Sequence, residues 1–286
     1  MCDEFTEADP RRALSRRDFA ALGAAAALAG CAGTGAGRAA SADLAEDMVR
    51  ITTADGIADG FFVHPAKGHH PGVIVWPDVA GLREAKKVMA RRLAAAGYAV
   101  LVVNPYYRGG PAPILESFSA WRTPEGQARI KPLREALTPP LVMRDAAAWV
   151  TFLDKSGAVA RGRRIGTVGY CMGGAFAVLT AAARPDRVGA AASLHGAGLV
   201  GGAPDAPVNL LAKTKAAFLF AIARGDDARA PGEKAALRQA ADTAARAAEI
   251  EVYPAEHGWC VPDSPVYDPV QADRAWERML ALFAGL

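Results

Sequence analysis

Arg164-Ile165-Gly166-Thr167-Val168-Gly169-Tyr170-Cys171-Met172-Gly173-Gly174-Ala175-Phe176 is the segment on which the reading of the fold turns. Residues 164–169 read as a short buried strand, and residues 174–183 as a helix closed by Pro185. Between them stands Gly169-x-Cys171-x-Gly173. A strand that turns this abruptly into a helix crowds the neighbours of the central residue. Small residues are therefore needed two before and two after it, and the central side chain is left on the crest. The helix that follows points the positive end of its dipole at the sulfur, which favours thiolate over thiol. The Met172 N–H is left available to an oxyanion. A buried structural cysteine in a glycine-rich turn is the plain alternative, but strand, both glycines and helix together favour a nucleophile. No G-x-S-x-G competes with it.

Outward from this turn, strand-like and helix-like segments alternate. Residues 49–53 and 57–63 read as an opening antiparallel pair, and 72–76 and 98–103 as strands buried on both faces. Helices are predicted over 84–96, 145–154 and 233–247, further strands over 188–194, 217–223 and 250–253, and an amphipathic closing helix over 269–283. This alternation predicts the α/β class: a mostly parallel central sheet with helices on both faces. Active sites in such sheets lie at the carboxyl ends of the strands. Residues 104–140, rich in Pro and Gly and containing Phe118 and Trp121, are too long for an ordinary connection. They read either as a lid or pocket wall or as a surface insertion.

A cysteine nucleophile needs a base, and the base needs an orienting acid. Of the five histidines, His64, His69 and His70 fall near the first strands in a Pro/Gly turn and read as solvated. His195 directly follows strand 188–194 and either lines the pocket or is structural. His257 follows the last strand, where the chain order nucleophile, acid, base puts the base. Asp226 and Asp227 follow strand 217–223; Asp226 is the expected acid, with Asp227 the runner-up.

The 286 residues are 51% hydrophobic and 22% charged, the composition of a globular chain, and the net charge of +3 with no basic stripe argues against nucleic acid. Residues 1–31 read as an address. Ser15-Arg16-Arg17-Asp18-Phe19 resembles a twin-arginine export signal, and Leu28-Ala29-Gly30-Cys31 resembles a lipobox with Cys31 as the acylated residue. A soluble periplasmic product cut near Ala39-Ala40-Ser41-Ala42 is the alternative. The apolar run 19–29 is short for a membrane span. Residues 32–45 then read as a flexible tether and 46–286 as one catalytic domain. The expected location is periplasmic, with a possible lipid anchor to the membrane through Cys31. With Cys2 in the leader, Cys171 and Cys260 are left, which is no disulfide framework.

The motifs together resemble the dienelactone hydrolases, from about Met48 to the C-terminus. Gly169-Tyr170-Cys171-Met172-Gly173-Gly174 resembles that family's nucleophile motif, Ala223-Arg224-Gly225-Asp226-Asp227 its acid loop, and His257-Gly258-Trp259-Cys260-Val261-Pro262-Asp263 its histidine segment. Pro77-Asp78-Val79-Ala80-Gly81-Leu82 resembles the loop that supplies the second oxyanion N–H, here Val79 beside Met172. The resemblance implies an α/β-hydrolase fold and cleavage of a carboxylic ester or lactone, of the carboxymethylenebutenolidase type, by Cys171, His257 and Asp226. It requires no metal or organic cofactor, and the implied partner is a small ester or lactone. Asp78 stands where type members carry Glu, Arg108 resembles a carboxylate-binding arginine, and Val261 replaces a second one. Asp78 and Arg108 by this resemblance, and His195 by its place at a strand end, are the expected substrate-binding residues. The alternative is a lipoprotein that binds a ligand or partner on this scaffold without turnover.

Overall fold

The computed structural model describes residues 43–286. The predicted leader, its Cys31 and tether residues 32–42 lie outside the described residues. Strands β1 (Leu44–Thr53) and β2 (Gly56–Pro65) form a hairpin in register from Leu44↔Pro65 to Thr53↔Gly56. β1 begins inside the stretch expected to be tether, because Leu44 and Ala45 already pair with Pro65 and His64. β3 (Gly72–Trp76), helix α1 (Glu84–Ala95) and β4 (Ala99–Val103) follow. Next come α2 (Phe118–Trp121), α3 (Pro124–Glu135), α4 (Pro139–Lys155), β5 (Ile165–Tyr170), α5 (Gly173–Ala183) and β6 (Val188–Leu194). The chain closes with β7 (Ala217–Ala223), α6 (Arg224–Arg229), α7 (Glu233–Thr243), β8 (Ala248–Tyr253) and α8 (Pro269–Phe283).

All eight strands share one sheet, in the order β1-β2-β4-β3-β5-β6-β7-β8. β2 joins β4 antiparallel, and every pairing from β4 to β8 is parallel. The parallel strands need crossovers, and the helices supply them on both faces. Side-chain alternation sorts the two layers: Ile74 and Trp76 pack with Trp149, Leu153 and Phe176 on one face. Val73 and Val75 pack with Leu93, Met279 and Phe283 on the other. Because both faces are covered, β3 and β4 are buried at every residue, which is why their sequences are unbroken apolar runs.

The stretch 104–140 departs most from expectation. It holds α2, α3 and the start of α4 rather than irregular chain. Pro124 and Pro139 stand in the first turn of their helices, where a missing N–H costs nothing, so they start helices instead of breaking them. Ser117 and Thr123 cap α2 and α3 by accepting the Ala120 and Gly126 N–H groups. Ile114, Leu115, Phe118, Trp121 and Ile130 pack against Val79, Ala80 and Tyr106, with Met172 at the edge, so this excursion covers the carboxyl-end loops. Among the described residues, no helix is long and apolar enough to cross a membrane.

Candidate active site

The turn between β5 and α5 has the geometry its glycines foretell. Cys171 adopts φ 55, left-handed, and is half-buried. A Cβ on Gly169 would lie 1.7 Å from the Gly173 carbonyl oxygen, and one on Gly173 2.6 Å from the oxygens of Trp76 and Pro77. At Gly174 it would meet Ser193 Oγ at 2.3 Å. The Cys171 carbonyl accepts from the N–H groups of Gly174 (2.9 Å) and Ala197 (3.0 Å), so the bend is fastened to the loop after β6 as well as to its own helix.

His257, after β8, engages Asp226 Oδ2 through Nδ1 at 2.7 Å and hydrogen-bonds the Cys171 side chain. Asp226 lies in the first turn of α6, just past β7, and also pairs with Arg229. Burial alone would favour neutral His257, but the Cys171 thiolate charge and the hydrogen bonds to Asp226 and Cys171 lift its pKa well above the usual value. Both neighbours thus favour the protonated ring. Asp227, the runner-up for the acid, is turned to Lys234 at 2.8 Å.

Val79 follows β3, and Met172 follows the cysteine. Among the described residues, neither backbone N–H donates to another group of the protein. Tyr106, which sequence reasoning did not single out, joins the two segments: its Oη donates to the Val79 carbonyl at 2.9 Å and lies 3.4 Å from Met172 Sδ. The available signal was its place just past the carboxyl end of β4.

The three residues expected to bind substrate are placed differently. Asp78 is 1% exposed, and both its oxygens are committed: to Arg83 at 2.8 and 3.1 Å and to Lys86 at 2.8 Å. Its carboxylate balances two buried cations, so it does not reach toward a ligand. Arg108 spends its guanidinium on Asp145 (2.8 and 2.9 Å) and Asp55 (2.9 and 2.7 Å), a fork already filled by carboxylates of the protein itself. His195 is 1% exposed and accepts the Cys171 N–H at Nδ1, 3.1 Å away, so it stands behind the elbow rather than in the pocket.

Arg83 extends the Asp78 network outward, bonding both oxygens of Asp263 at 2.7 Å, and Asp263 in turn accepts the Phe118 N–H at 2.9 Å. The loop after β3, the loop after β8 and α2 are thereby tied together. Asp78→Asn leaves Arg83 and Lys86 short of a buried counter-charge, and urea unfolding should show a stability loss of about 3–5 kcal/mol. An unchanged unfolding midpoint would refute that account. Burial alone would raise the Asp78 carboxyl, but the Arg83 and Lys86 charges outweigh it and hold the group well below the usual range. This contribution is therefore full above the unfolded value near ~3.9 and is lost as pH falls through the folded one.

Among the described residues, no group of three or more His, Cys, Asp or Glu is placed to hold a metal ion. Residues 58–286 match the model of the dienelactone hydrolase family. The chain belongs to that family. This dienelactone hydrolase family member is 29% identical over 237 residues to a Methylorubrum extorquens protein named as a carboxymethylenebutenolidase, covering 81% of the chain and 78% of the relative. It is 31% identical over 229 residues to a Salmonella typhi protein of the same name, covering 76% and 78%. A solved Klebsiella pneumoniae structure named as a dienelactone hydrolase superposes with a TM-score of 0.73 at 25% identity, over 85% of this chain and 99% of that one. The fold is that of the α/β-hydrolases, and the protein is a dienelactone hydrolase-like ester or lactone hydrolase.

Proposed function

We propose that this family member cleaves its ester or lactone by acyl transfer to Cys171, through a thioester. The observation that carries this reading is the unbroken chain Asp226–His257–Cys171 at the strained turn. The Cys171 thiolate attacks the carbonyl carbon, and the Val79 and Met172 N–H groups receive the oxyanion. The tetrahedral species collapses, the C–O bond breaks, and His257 gives its proton to the departing alkoxide. Neutral His257 then takes a proton from water, which attacks the thioester and releases the acid and the thiolate. Asp226 keeps the Nδ1–H in place throughout. A lipoprotein that only binds on this scaffold would need none of this alignment. Quenching a reaction with a p-nitrophenyl ester during the first turnover should leave an acyl adduct on the peptide carrying Cys171. An adduct elsewhere, or none despite a burst of p-nitrophenol, rejects the thioester.

Asp226→Asn should lower kcat by roughly 10²–10⁴-fold, whereas Asp227→Asn stays close to wild type. Equal losses in the two variants would overturn the choice of acid.

The filled Arg108 fork and the buried Val261 support a substrate without a second carboxylate, and Ile114, Leu115 and Phe118 near the oxyanion loop suit an apolar acyl or alcohol group. Neutral esters or lactones should therefore show higher kcat/KM than carboxylate-bearing analogues of equal size. Export and acylation at Cys31 remain part of the proposal on the strength of the leader's pattern. Cys31→Ala should move the protein from the membrane fraction to the soluble one.

A further inference from the structure

We propose that His195 is a positioning residue of this hydrolysis, a neutral imidazole that accepts the nucleophile's own backbone N–H and holds Cys171 in its left-handed turn. The inference rests on Cys171 being the nucleophile. Both residues stand at strand ends, on neighbouring β5 and β6, and both have positive φ, 55 at Cys171 and 41 at His195. The Cys171 N–H is shared between His195 Nδ1 at 3.1 Å and the Leu194 carbonyl at 3.2 Å, while the His195 N–H is fixed to the Ala221 carbonyl at 2.8 Å. The turn that aims the sulfur is thus braced through an imidazole to β7. A left-handed non-glycine residue costs free energy and persists only where its surroundings hold it. The hydrogen bond is such a restraint, placed on the one residue whose direction matters.

An accepting Nδ1 puts the ring proton on Nε2. That nitrogen is fully buried and has no hydrogen-bond partner among the described residues. The ring lies edge-on to His257, 4.9 Å between centroids, and to Trp259 at 5.2 Å, with Tyr170 at 6.0 Å. The charged and titratable groups that face it are Cys171 at the elbow, His257 in the loop after β8, Asp78 just past β3 and Lys86 in α1. Burial first, then the charges on His257 and Lys86, depress its pKa well below the usual value. Protonation at Nδ1 would remove the acceptor and set a second cation against the His257 imidazolium. A carboxylate in its place would compete with the Cys171 thiolate for His257. A neutral acceptor of this reach does neither.

The test compares His195→Ala, which removes the side-chain acceptor and leaves only the Leu194 carbonyl, with His195→Asn, whose Oδ1 occupies about the place of Nδ1 and which also tolerates positive φ. The first readout is the pH dependence of iodoacetamide alkylation at Cys171, located by mass spectrometry so that buried Cys260 does not contribute. It needs no substrate, so it reports on His195 even if Cys171→Ala retains turnover and the nucleophile reading fails. His195→Ala should raise the alkylation midpoint by about one pH unit, through loss of the geometry that pairs sulfur and His257. It should also lower kcat on a p-nitrophenyl ester by about 10- to 100-fold with KM little changed, the cost of a displaced reacting atom. His195→Asn should recover most of both. A wild-type alkylation profile in His195→Ala overturns the proposal. So does His195→Asn performing no better than His195→Ala, or, if His195→Ala fails to fold, no better than His195→Gln, whose longer side chain misplaces the acceptor.

Discussion

Cys171→Ala is expected to lower p-nitrophenyl ester hydrolysis by about 10³-fold or more while the protein still folds. The substitution removes only the sulfur. The Cβ stays, the backbone hydrogen bonds through the Cys171 N–H and carbonyl stay, and the half-buried site loses little packing. What disappears is the proposed nucleophile and one of the two side chains that favour protonated His257. Oxyanion N–H groups and substrate binding alone sustain a small residual rate. His257→Ala should cost a comparable factor, because the remaining thiol would have neither a proton acceptor nor a donor for its leaving group. Turnover near the wild-type rate in Cys171→Ala, with an unchanged melting profile, would remove the mechanism altogether.

Gly169→Ala is expected to be the most damaging single-methyl change for stability. Its Cβ would overlap the Gly173 carbonyl oxygen at 1.7 Å and the carbonyl carbon at 2.1 Å. Both atoms belong to the first turn of α5, which is packed on all sides, so no side chain can swing away to relieve the overlap. A loss of about 4 kcal/mol or more is expected, a fall of about 8–16 °C in Tm for a domain of this size. Gly157→Ala is the control: its added methyl meets nothing within 4 Å, so it should shift stability by no more than about 0.5 kcal/mol. A Tm for Gly169→Ala equal to that of the control would show that the elbow is not as tight as described.

The elbow was legible in the sequence for the reason that makes Gly169→Ala damaging. Steric exclusion at a sharp turn leaves so few permitted residues that the spacing itself carries the geometry. The parallel strands were legible because burial on both faces leaves unbroken apolar runs, and β3, β6, β7 and α8 have the bounds their sequences predict. Residues 104–140 were harder, since Pro124 and Pro139 read as breakers until their place in a first turn is known, and Pro132 sits within α3. The roles of Asp78 and Arg108 were not legible. Which partner a charged side chain meets depends on contacts across the fold, Arg108 with Asp55 and Asp145, Asp78 with Arg83 and Lys86, and no local pattern encodes them. His195 was placed at the right strand end, with pocket wall and structural role both open, and only the fold decides between them by burying its ring against the Cys171 N–H.

The two cysteines among the described residues differ in one way that sets how the enzyme ages under oxidants. Cys260 is walled into the core beside Trp259 and Tyr253, and burial holds its thiol protonated. It is in no position to resolve a sulfenic acid formed at the half-buried Cys171. Among the described residues no second thiol is placed to trap it as a disulfide, so unless an external thiol intercepts the sulfenic acid, peroxide drives it on to the sulfinic acid, which thiol reductants do not reverse.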